Sequence, residues 1–200
     1  MHESERFVIP TWEQIYTMLL DMAWRIQADR FSPDIVLGVS RGGLTPARVL
    51  SDLLESPNIA KVKVEFYLGV AERKKEPLMT EPISVDVKGK RILVVDDVSD
   101  TGGSLRLIKA HLLEHGVGDL KTATLYHKPW SITLPDYFEE TTSDWIVFPW
   151  DRKETLRKVA EKFIEHGKPV KEALETLVKY GFDRGLAERF GREMFGGCLC

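Results

Sequence analysis

The sequence has little of what would place the protein outside the ordinary globular class. It contains only two cysteines, Cys198 and Cys200, both within the last three residues. Two cysteines one residue apart at a chain end suit neither a structural disulfide nor a complete zinc site, so we expect an exposed tail there. No apolar run approaches the length of a membrane span, and the polar start, MHESERFVIP, does not have the apolar segment of a signal peptide.

An excess of charge of one sign is also missing. The formal net charge is −3, which argues against a general nucleic-acid binder, because such a protein needs a basic stripe. Apolar residues make up 43% of the chain, enough to bury the core of one α/β domain with a modest extension. These properties predict a cytoplasmic protein that binds neither nucleic acid nor membranes.

One stretch, RILVVDDVSDTGGSLRLI at residues 91–108, is far more specific. The apolar run from Ile92 to Val95 predicts a strand that is buried on both faces. Apolar residues at helical spacing predict a helix over residues 104–115. An acidic, glycine-rich turn joins the two elements, and it consists of Asp96, Asp97, Asp100, Thr101, Gly102, Gly103 and Ser104.

This turn predicts a site for a sugar phosphate. Backbone N–H groups at a helix N-terminus bind anions, and glycines let the backbone approach a ligand closely. Carboxylates repel phosphate, so a cation or a polyhydroxyl group should lie between them. A ribose phosphate with Mg²⁺ fits: its diol binds Asp96 and Asp97, and its phosphate binds residues 100–104. A helix cap alone would need one aspartate, not three in five residues.

A second turn, Ser40-Arg41-Gly42-Gly43, follows a strand predicted over residues 34–39 and precedes a helix over residues 46–54. Backbone amides beside the planar fork of Arg41 suit a pyrophosphate group. Taken alone, the turn is equally well explained as a tight connection with a surface arginine. Its pairing with the acidic turn favours the pyrophosphate site.

Further strands, predicted over residues 61–68, 83–87, 120–126 and 144–148, alternate with helices or loops and indicate a mainly parallel sheet. Ligands of such sheets bind at the carboxyl ends of the strands, where Lys128 and Trp145 are also expected. The lysine suits a ring carbonyl and the tryptophan suits stacking on a base. The alternatives are a surface lysine and a core strand.

These motifs carry a family resemblance. ILVVDDVSDTGGS resembles the phosphoribosyl-pyrophosphate (PRPP) motif of type I phosphoribosyltransferases, and GVSRGGLTPA is similar to the pyrophosphate loop of the 6-oxopurine enzymes. The K-P pair followed by WIVFPWD is similar to bacterial xanthine-guanine phosphoribosyltransferases and their archaeal relatives. The resemblance covers residues 34–152 and is weakest over the expected flexible hood, about residues 66–85.

The resemblance implies roles for particular residues in a Mg²⁺-dependent transfer from PRPP to hypoxanthine, guanine or xanthine. Arg41, Gly42 and Gly43 would bind pyrophosphate, and Thr101 to Ser104 would bind the 5′-phosphate. Asp100 would act near purine N7. The remaining groups are the metal ligands Asp96, Asp97 and Asp151, the O6 donor Lys128, the stacking Trp145 and the backbone carbonyl of Ile146.

The resemblance also implies a homodimer or homotetramer. We expect a phosphoribosyltransferase domain over residues 1–152 and a C-terminal helical extension over residues 153–200, pictured as a helical hairpin with a disordered tail. Two alternatives stay open from the sequence. One is a regulator that binds PRPP without turnover, and the other is a transferase for adenine, orotate or uracil.

Overall fold

A computed structural model describes residues 6–68 and 75–196, and these residues form two compact units. The large unit comprises residues 15–143, and the small unit combines the N-terminal residues up to 14 with residues from 144 onward. The predicted cysteine tail, with Cys198 and Cys200, lies outside the described residues. The boundary expected at residue 152 stays a prediction.

The large unit is built on a six-stranded sheet in the order β4-β3-β2-β5-β6-β7. All neighbouring strands are parallel except β3 and β4, which pair antiparallel. The strands are β2 (Ile35–Ser40), β3 (Ile59–Leu68), β4 (Lys75–Glu81), β5 (Arg91–Ser99), β6 (Asp119–His127) and β7 (Tyr137–Thr141). The expected mainly parallel α/β fold is therefore confirmed.

Helices α2 (Leu44–Leu53) and α3 (Gly103–Glu114) follow β2 and β5, and most of α1 (Trp12–Ala28) also belongs to this unit. The central strands are apolar on both faces, as expected for a parallel sheet covered by helices. One core cluster joins β2, β3 and β5 to α3 through Leu37, Val62, Ile92, Val94, Leu105, Ile108 and Leu112. This core holds the carboxyl ends of β2, β5 and β6 at one edge of the sheet.

The structure corrects several boundaries in the large unit. β5 continues to Ser99, so Asp96 and Asp97 lie within the strand and not in the turn after it. Residues 83–87 form no strand, because β4 already pairs with β3. Val87 is buried in the core without pairing to a neighbouring strand. Strand β7 was not predicted. The loop or hairpin expected over residues 69–82 lies partly outside the described residues, and its described part contains β4.

Helix α1 begins at a capping box. The Gln14 N–H donates to Thr11 Oγ1 at 3.1 Å, and the Thr11 N–H donates to Gln14 Oε1 at 2.8 Å. The helix buries one apolar stripe, formed by Ile15, Leu19, Met22, Ala23 and Ile26. The aromatic side chains of Trp12, Tyr16 and Trp24 lie outside this stripe and are 52%, 49% and 77% exposed.

The small unit pairs β1 (Phe7–Val8) with β8 (Trp145–Ile146) in a parallel two-stranded sheet and packs three helices beside it. The helices are α4 (Arg152–Glu165), α5 (Val170–Lys179) and α6 (Arg184–Phe195). The prediction of a two-helix hairpin is wrong, because this segment forms three helices. The tail that was expected to be disordered is helical up to Phe195. Asp183 caps α6 by accepting from the Leu186 N–H at 2.7 Å. The core contains Phe7, Val147, Leu156, Val159, Ala173 and Leu177.

Candidate active site

The site lies where the two glycine-rich turns of the large unit meet. The register pairs Gly38 of β2 with Val95 of β5, and Ser99 of β5 with His127 of β6. Because the three strands are parallel neighbours, the residues that follow them share one edge of the sheet. The structure therefore brings Arg41, the acidic turn and Lys128 to the same edge, as the sequence predicted.

The turn at Gly42 and Gly43 lies directly against β5. A Cβ atom on Gly43 would lie 2.3 Å from the Val95 carbonyl oxygen and 2.8 Å from Asp96 Cα. A Cβ atom on Gly42 would lie 2.0 Å from a carboxylate oxygen of Asp97. Only glycine allows this approach, so the Arg41 turn and the carboxylates of β5 border a common space. The peptide bond between Ser40 and Arg41 is cis.

The carboxyl groups of Asp96 and Asp97 stand next to each other on β5. Burial and the neighbouring charge of Asp97 raise the pKa of Asp96 well above its ordinary value. The Asp97 N–H opposes this shift by donating to Asp96 Oδ1 at 2.9 Å. Two adjacent carboxylates that repel each other form a place where a cation or a pair of hydroxyl groups is favoured.

The carboxylate pair suits Mg²⁺ that is bound together with a substrate. This ion prefers oxygen ligands, keeps several waters, and is usually held by one or two carboxylates plus substrate phosphates. The described residues contain no group of three or more His, Cys, Asp or Glu side chains that would form a metal cage made of protein alone. The donors present therefore fit a metal that arrives with its substrate.

The turn from Thr101 to Gly103 leads into the N-terminus of α3. Gly102 adopts a left-handed conformation with φ of +77°, and a Cβ atom there would lie 2.6 Å from the Thr133 backbone nitrogen. The N-cap residue of α3, Gly102, has no side chain to cap the helix, and the first turn of α3 contains no acidic residue. Thr101 Oγ1 accepts from the Gly103 N–H at 3.3 Å. The positive end of α3 therefore suits a phosphate group.

Strands β3 and β4 pair antiparallel beside this helix N-terminus, and they include residues of the expected hood. A Cβ atom on Gly103 would lie 3.5 Å from both Phe66 Cε1 and Pro77 Cγ. The rest of the expected hood, which includes the basic residues Arg73 and Lys74, lies outside the described residues.

Lys128 is only 7% exposed, so the alternative of a surface lysine is wrong. Its backbone N–H donates to the Ser99 carbonyl at 3.0 Å, and its Nζ lies 5.5 Å from the centre of the Trp130 ring. Trp130 in turn donates its indole N–H to Asp100 Oδ1 at 3.1 Å. Trp130 was not predicted as a site residue. The local sequence KPW, residues 128–130, does not indicate a hydrogen bond to Asp100, which lies 30 residues earlier in the chain.

The family of this chain follows from comparison with known proteins. The family described as "Phosphoribosyl transferase domain" matches residues 11–157. The chain belongs to this family. Because the match extends over most of the chain, the protein is a phosphoribosyltransferase.

Individual phosphoribosyltransferases agree with this assignment. The xanthine-guanine phosphoribosyltransferase of Nitratidesulfovibrio vulgaris is 31% identical over 156 residues, which is 76% of this chain and 90% of that protein. The crystal structure of a purine phosphoribosyltransferase from Pyrococcus horikoshii matches with a TM-score of 0.66 and 39% identity, covering 72% of this chain and 93% of that one. A xanthine-guanine-hypoxanthine phosphoribosyltransferase of Helicobacter pylori shares the fold at a TM-score of 0.64 and 22% identity, over 76% of this chain and 98% of that one.

Three predicted site residues of this phosphoribosyltransferase, Trp145, Ile146 and Asp151, lie in the small unit. The partly buried Trp145 packs against Phe7, with ring centres 6.0 Å apart. The residues on either side of Ile146 face β1, since the Trp145 N–H donates to the carbonyl of Arg6, just before β1, at 2.9 Å, and the Val147 N–H donates to the Val8 carbonyl at 2.8 Å. Strand alternation then turns the Ile146 carbonyl towards the opposite edge of β8. The roles of all three residues stay predictions.

Proposed function

We propose that this phosphoribosyltransferase is a Mg²⁺-dependent purine enzyme of nucleotide salvage. It transfers the phosphoribosyl group of PRPP to hypoxanthine, guanine or xanthine and releases pyrophosphate. The observation that carries the proposal is the direct packing of the Arg41 turn on Asp97 of β5, with the N-terminus of α3 following that strand. These features supply sites for pyrophosphate, ribose diol and 5′-phosphate in that order. The purine specificity is supported by the names of the similar proteins.

The leaving group binds at the turn after β2. The bond between C1 and the pyrophosphate oxygen breaks while a nitrogen of the base bonds to C1 from the opposite face, which inverts the configuration. Arg41 and the backbone of Gly42 and Gly43 stabilise the negative charge that develops on pyrophosphate. Charge stabilisation and alignment supply most of the rate enhancement in a reaction of this kind.

The ribose binds between the two turns. Asp96 and Asp97 accept hydrogen bonds from its hydroxyl groups, and together they would hold Mg²⁺ when PRPP binds. The metal would supply positive charge beside the diphosphate. The backbone N–H groups at the start of α3, with the hydroxyls of Thr101 and Ser104, fix the 5′-phosphate and so place C1 relative to both turns.

The base binds beside Asp100 and Lys128. The Lys128 ammonium donates to purine O6, and the Asp100 carboxylate accepts the proton from N7 as the attacking ring nitrogen bonds to C1 and pyrophosphate leaves. The family resemblance gives Trp145 a stacking role on the purine ring, the Ile146 carbonyl an acceptor role at the purine edge, and Asp151 a role near the metal and the base. A donor at O6 selects 6-oxopurines, since adenine carries an amino group at this position.

One assay tests the function. The protein is incubated with PRPP, Mg²⁺ and one of hypoxanthine, guanine, xanthine, adenine, orotate or uracil, and pyrophosphate release is followed. We expect release with at least one 6-oxopurine and its loss when EDTA is added. Release with none of the six bases contradicts the enzyme and, if PRPP still binds, favours the regulator that binds without turnover. Release with adenine alone contradicts the role of Lys128.

We also infer a cytoplasmic homodimer or homotetramer, as the family resemblance implies. No helix in the described part of the chain is both long and apolar enough to span a membrane. Light scattering on the eluate of a sizing column measures the assembly, and a mass of one chain at micromolar concentration would contradict it.

A further inference from the structure

Trp130 connects two residues that the proposed function assigns to the base. Its indole N–H donates to Asp100 Oδ1 at 3.1 Å, and its ring lies under the Lys128 ammonium at 5.5 Å. Asp100 is exposed, and the Trp130 side chain is 54% exposed. An exposed tryptophan that makes two polar contacts of this kind is not placed there by hydrophobic burial.

The contact between Trp130 and Asp100 is held by the backbone on both sides. The segment after β6, residues 128–133, lies along residues 99–102 at the end of β5, and five hydrogen bonds join their backbones and hydroxyl groups. These are Lys128 N–H to the Ser99 carbonyl at 3.0 Å, Ile132 N–H to the Thr101 carbonyl at 3.0 Å, Thr133 Oγ1 to the Gly102 carbonyl at 2.9 Å, Ser99 Oγ to the Thr133 carbonyl at 3.0 Å, and a bond of 2.9 Å between the hydroxyls of Ser99 and Ser131. The indole therefore reaches a carboxylate whose backbone is fixed relative to its own.

The chemistry of the indole decides which oxygen of Asp100 is available. An indole N–H is a donor only, so it binds Oδ1 as an acceptor and cannot take a proton from it. The indole contact occupies Oδ1 and leaves Oδ2 outside it. The hydrogen bond also restricts the rotamers of an exposed side chain, which keeps Oδ2 in one direction.

We propose that Trp130 is a positioning residue that orients Asp100 for proton exchange with the base and holds Lys128 beside it. The proposal rests on the proposed function, because it assumes that Asp100 acts on the acceptor. Trp130 itself does not react.

A double-mutant cycle measures this role. Trp130→Phe keeps a ring under Lys128 and removes only the N–H donor, and Asp100→Ala removes the group through which Trp130 would act. In the wild-type background we expect W130F to lower kcat about tenfold, the equivalent of one hydrogen bond to a charged group. KM for PRPP should change by less than about twofold, because the phosphate turn stays braced.

In the Asp100→Ala background W130F should have almost no further effect on kcat, since the residue it orients is gone. An equal loss in both backgrounds would mean that the indole acts by supporting the fold, and no loss in the wild-type background would mean that it has no role. Either result overturns the proposal. The matched control is Trp24→Phe, which changes an exposed tryptophan on α1 and should leave kcat unchanged.

The indole signal in a ¹H–¹⁵N spectrum tests the contact without any turnover. The Trp130 cross-peak is assigned as the one missing from W130F, and we expect it to move in Asp100→Ala. An unmoved peak overturns the proposal whatever the activity. A moved peak in a protein that converts no base would instead contradict the proposed function and leave the Trp130–Asp100 contact standing.

Discussion

At the scale of single residues, the charge of Arg41 matters less than its shape. Its guanidinium offers two parallel donors to a phosphate, whereas a lysine offers one compact charge. Arg41 is exposed at the end of β2, so replacing it leaves the core intact.

We expect Arg41→Lys to raise KM for PRPP by about tenfold, the loss of one charge-assisted hydrogen bond, with little change in Tm. Steady-state kinetics at saturating guanine and varied PRPP measure this effect. Arg48→Lys is the control, because Arg48 is exposed on α2 and its ion pair with Asp52 is long, at 3.8 Å. Unchanged kinetics in R41K would remove Arg41 from the pyrophosphate site.

We expect alanine to affect stability when it replaces Gly43 and activity when it replaces Gly42. A Cβ at Gly43 meets backbone atoms, which cannot move away, whereas a Cβ at Gly42 meets the side chain of Asp97, which can rotate. Gly43→Ala should therefore destabilise the fold by about 1–3 kcal/mol. Gly42→Ala should keep most of the stability and lose activity, because it displaces a carboxylate of the site.

Thermal unfolding and kcat/KM of the two variants provide the comparison. For a chain of this size the cost at Gly43 corresponds to a fall in Tm of about 2–12 °C. Equal falls in Tm, or full activity in Gly42→Ala, would contradict the close packing of the two turns.

The residues of the site were predictable from the sequence where chemistry is local. Three aspartates beside two glycines within one short stretch indicate a ligand-binding site. The SRGG turn indicates such a site only when it is considered together with that stretch. Trp130 was not predictable, because its partner Asp100 comes from a different turn and the contact depends on how residues 128–133 fold back.

At the scale of elements, an ion pair ties β2 to β5 at the end of the sheet opposite the site. The Arg91 N–H donates to Asp34 Oδ2 at 2.8 Å, and the Arg91 guanidinium donates to Oδ1 at 3.0 Å. The hydrogen bonds of Arg91 lower the pKa of Asp34 to about 2 from its usual 3.8. Because the two strands carry Arg41 and the aspartates, this tie helps to set the register of the site.

The sign of the pKa shift fixes the pH dependence. A lowered pKa in the folded state means that the ionised pair stabilises the protein fully above the ordinary value of 3.8, and that this contribution is lost as the pH falls towards 2. We expect Asp34→Asn to lower Tm at neutral pH, and the difference from the wild type to narrow as the pH falls from about 4 to about 2.5. Asp52→Asn, at the long pair on α2, is the control. A difference that does not change with pH would contradict the ion pair.

The elements themselves show which sequence signals are dependable. The buried strands β2, β5 and β6 and the helices α2 and α3 were predicted to within a few residues, because each has a continuous apolar run or stripe. The strand expected at residues 83–87 was wrong, since alternation alone does not show whether a partner edge is available. The strand predicted over residues 144–148 is present as the two-residue β8, whereas its partner β1 was not predicted, because two residues carry no recognisable local pattern.

At the scale of the whole molecule, the chain divides its tasks between two units. The large unit brings together the Arg41 turn, the carboxylates of β5, the N-terminus of α3 and Lys128, which are the groups expected to bind PRPP and purine O6. The small unit closes its own core with residues from both ends of the chain, through β1 and three C-terminal helices. Its three helices hide Leu156, Val159, Ala173 and Leu177 completely, so the C-terminal segment is a folded part of the protein.

The reaction proposed for this protein joins a 6-oxopurine to the C1 carbon of PRPP. A ³¹P and ¹H NMR time course of PRPP, Mg²⁺ and guanine with catalytic amounts of enzyme follows both reactants at once. We expect the diphosphate signals of PRPP to be replaced by free pyrophosphate and an equal amount of a guanine nucleoside 5′-monophosphate, with inverted configuration at C1. Pyrophosphate with ribose 5-phosphate and unchanged guanine, or no reaction with guanine, hypoxanthine and xanthine alike, would contradict it.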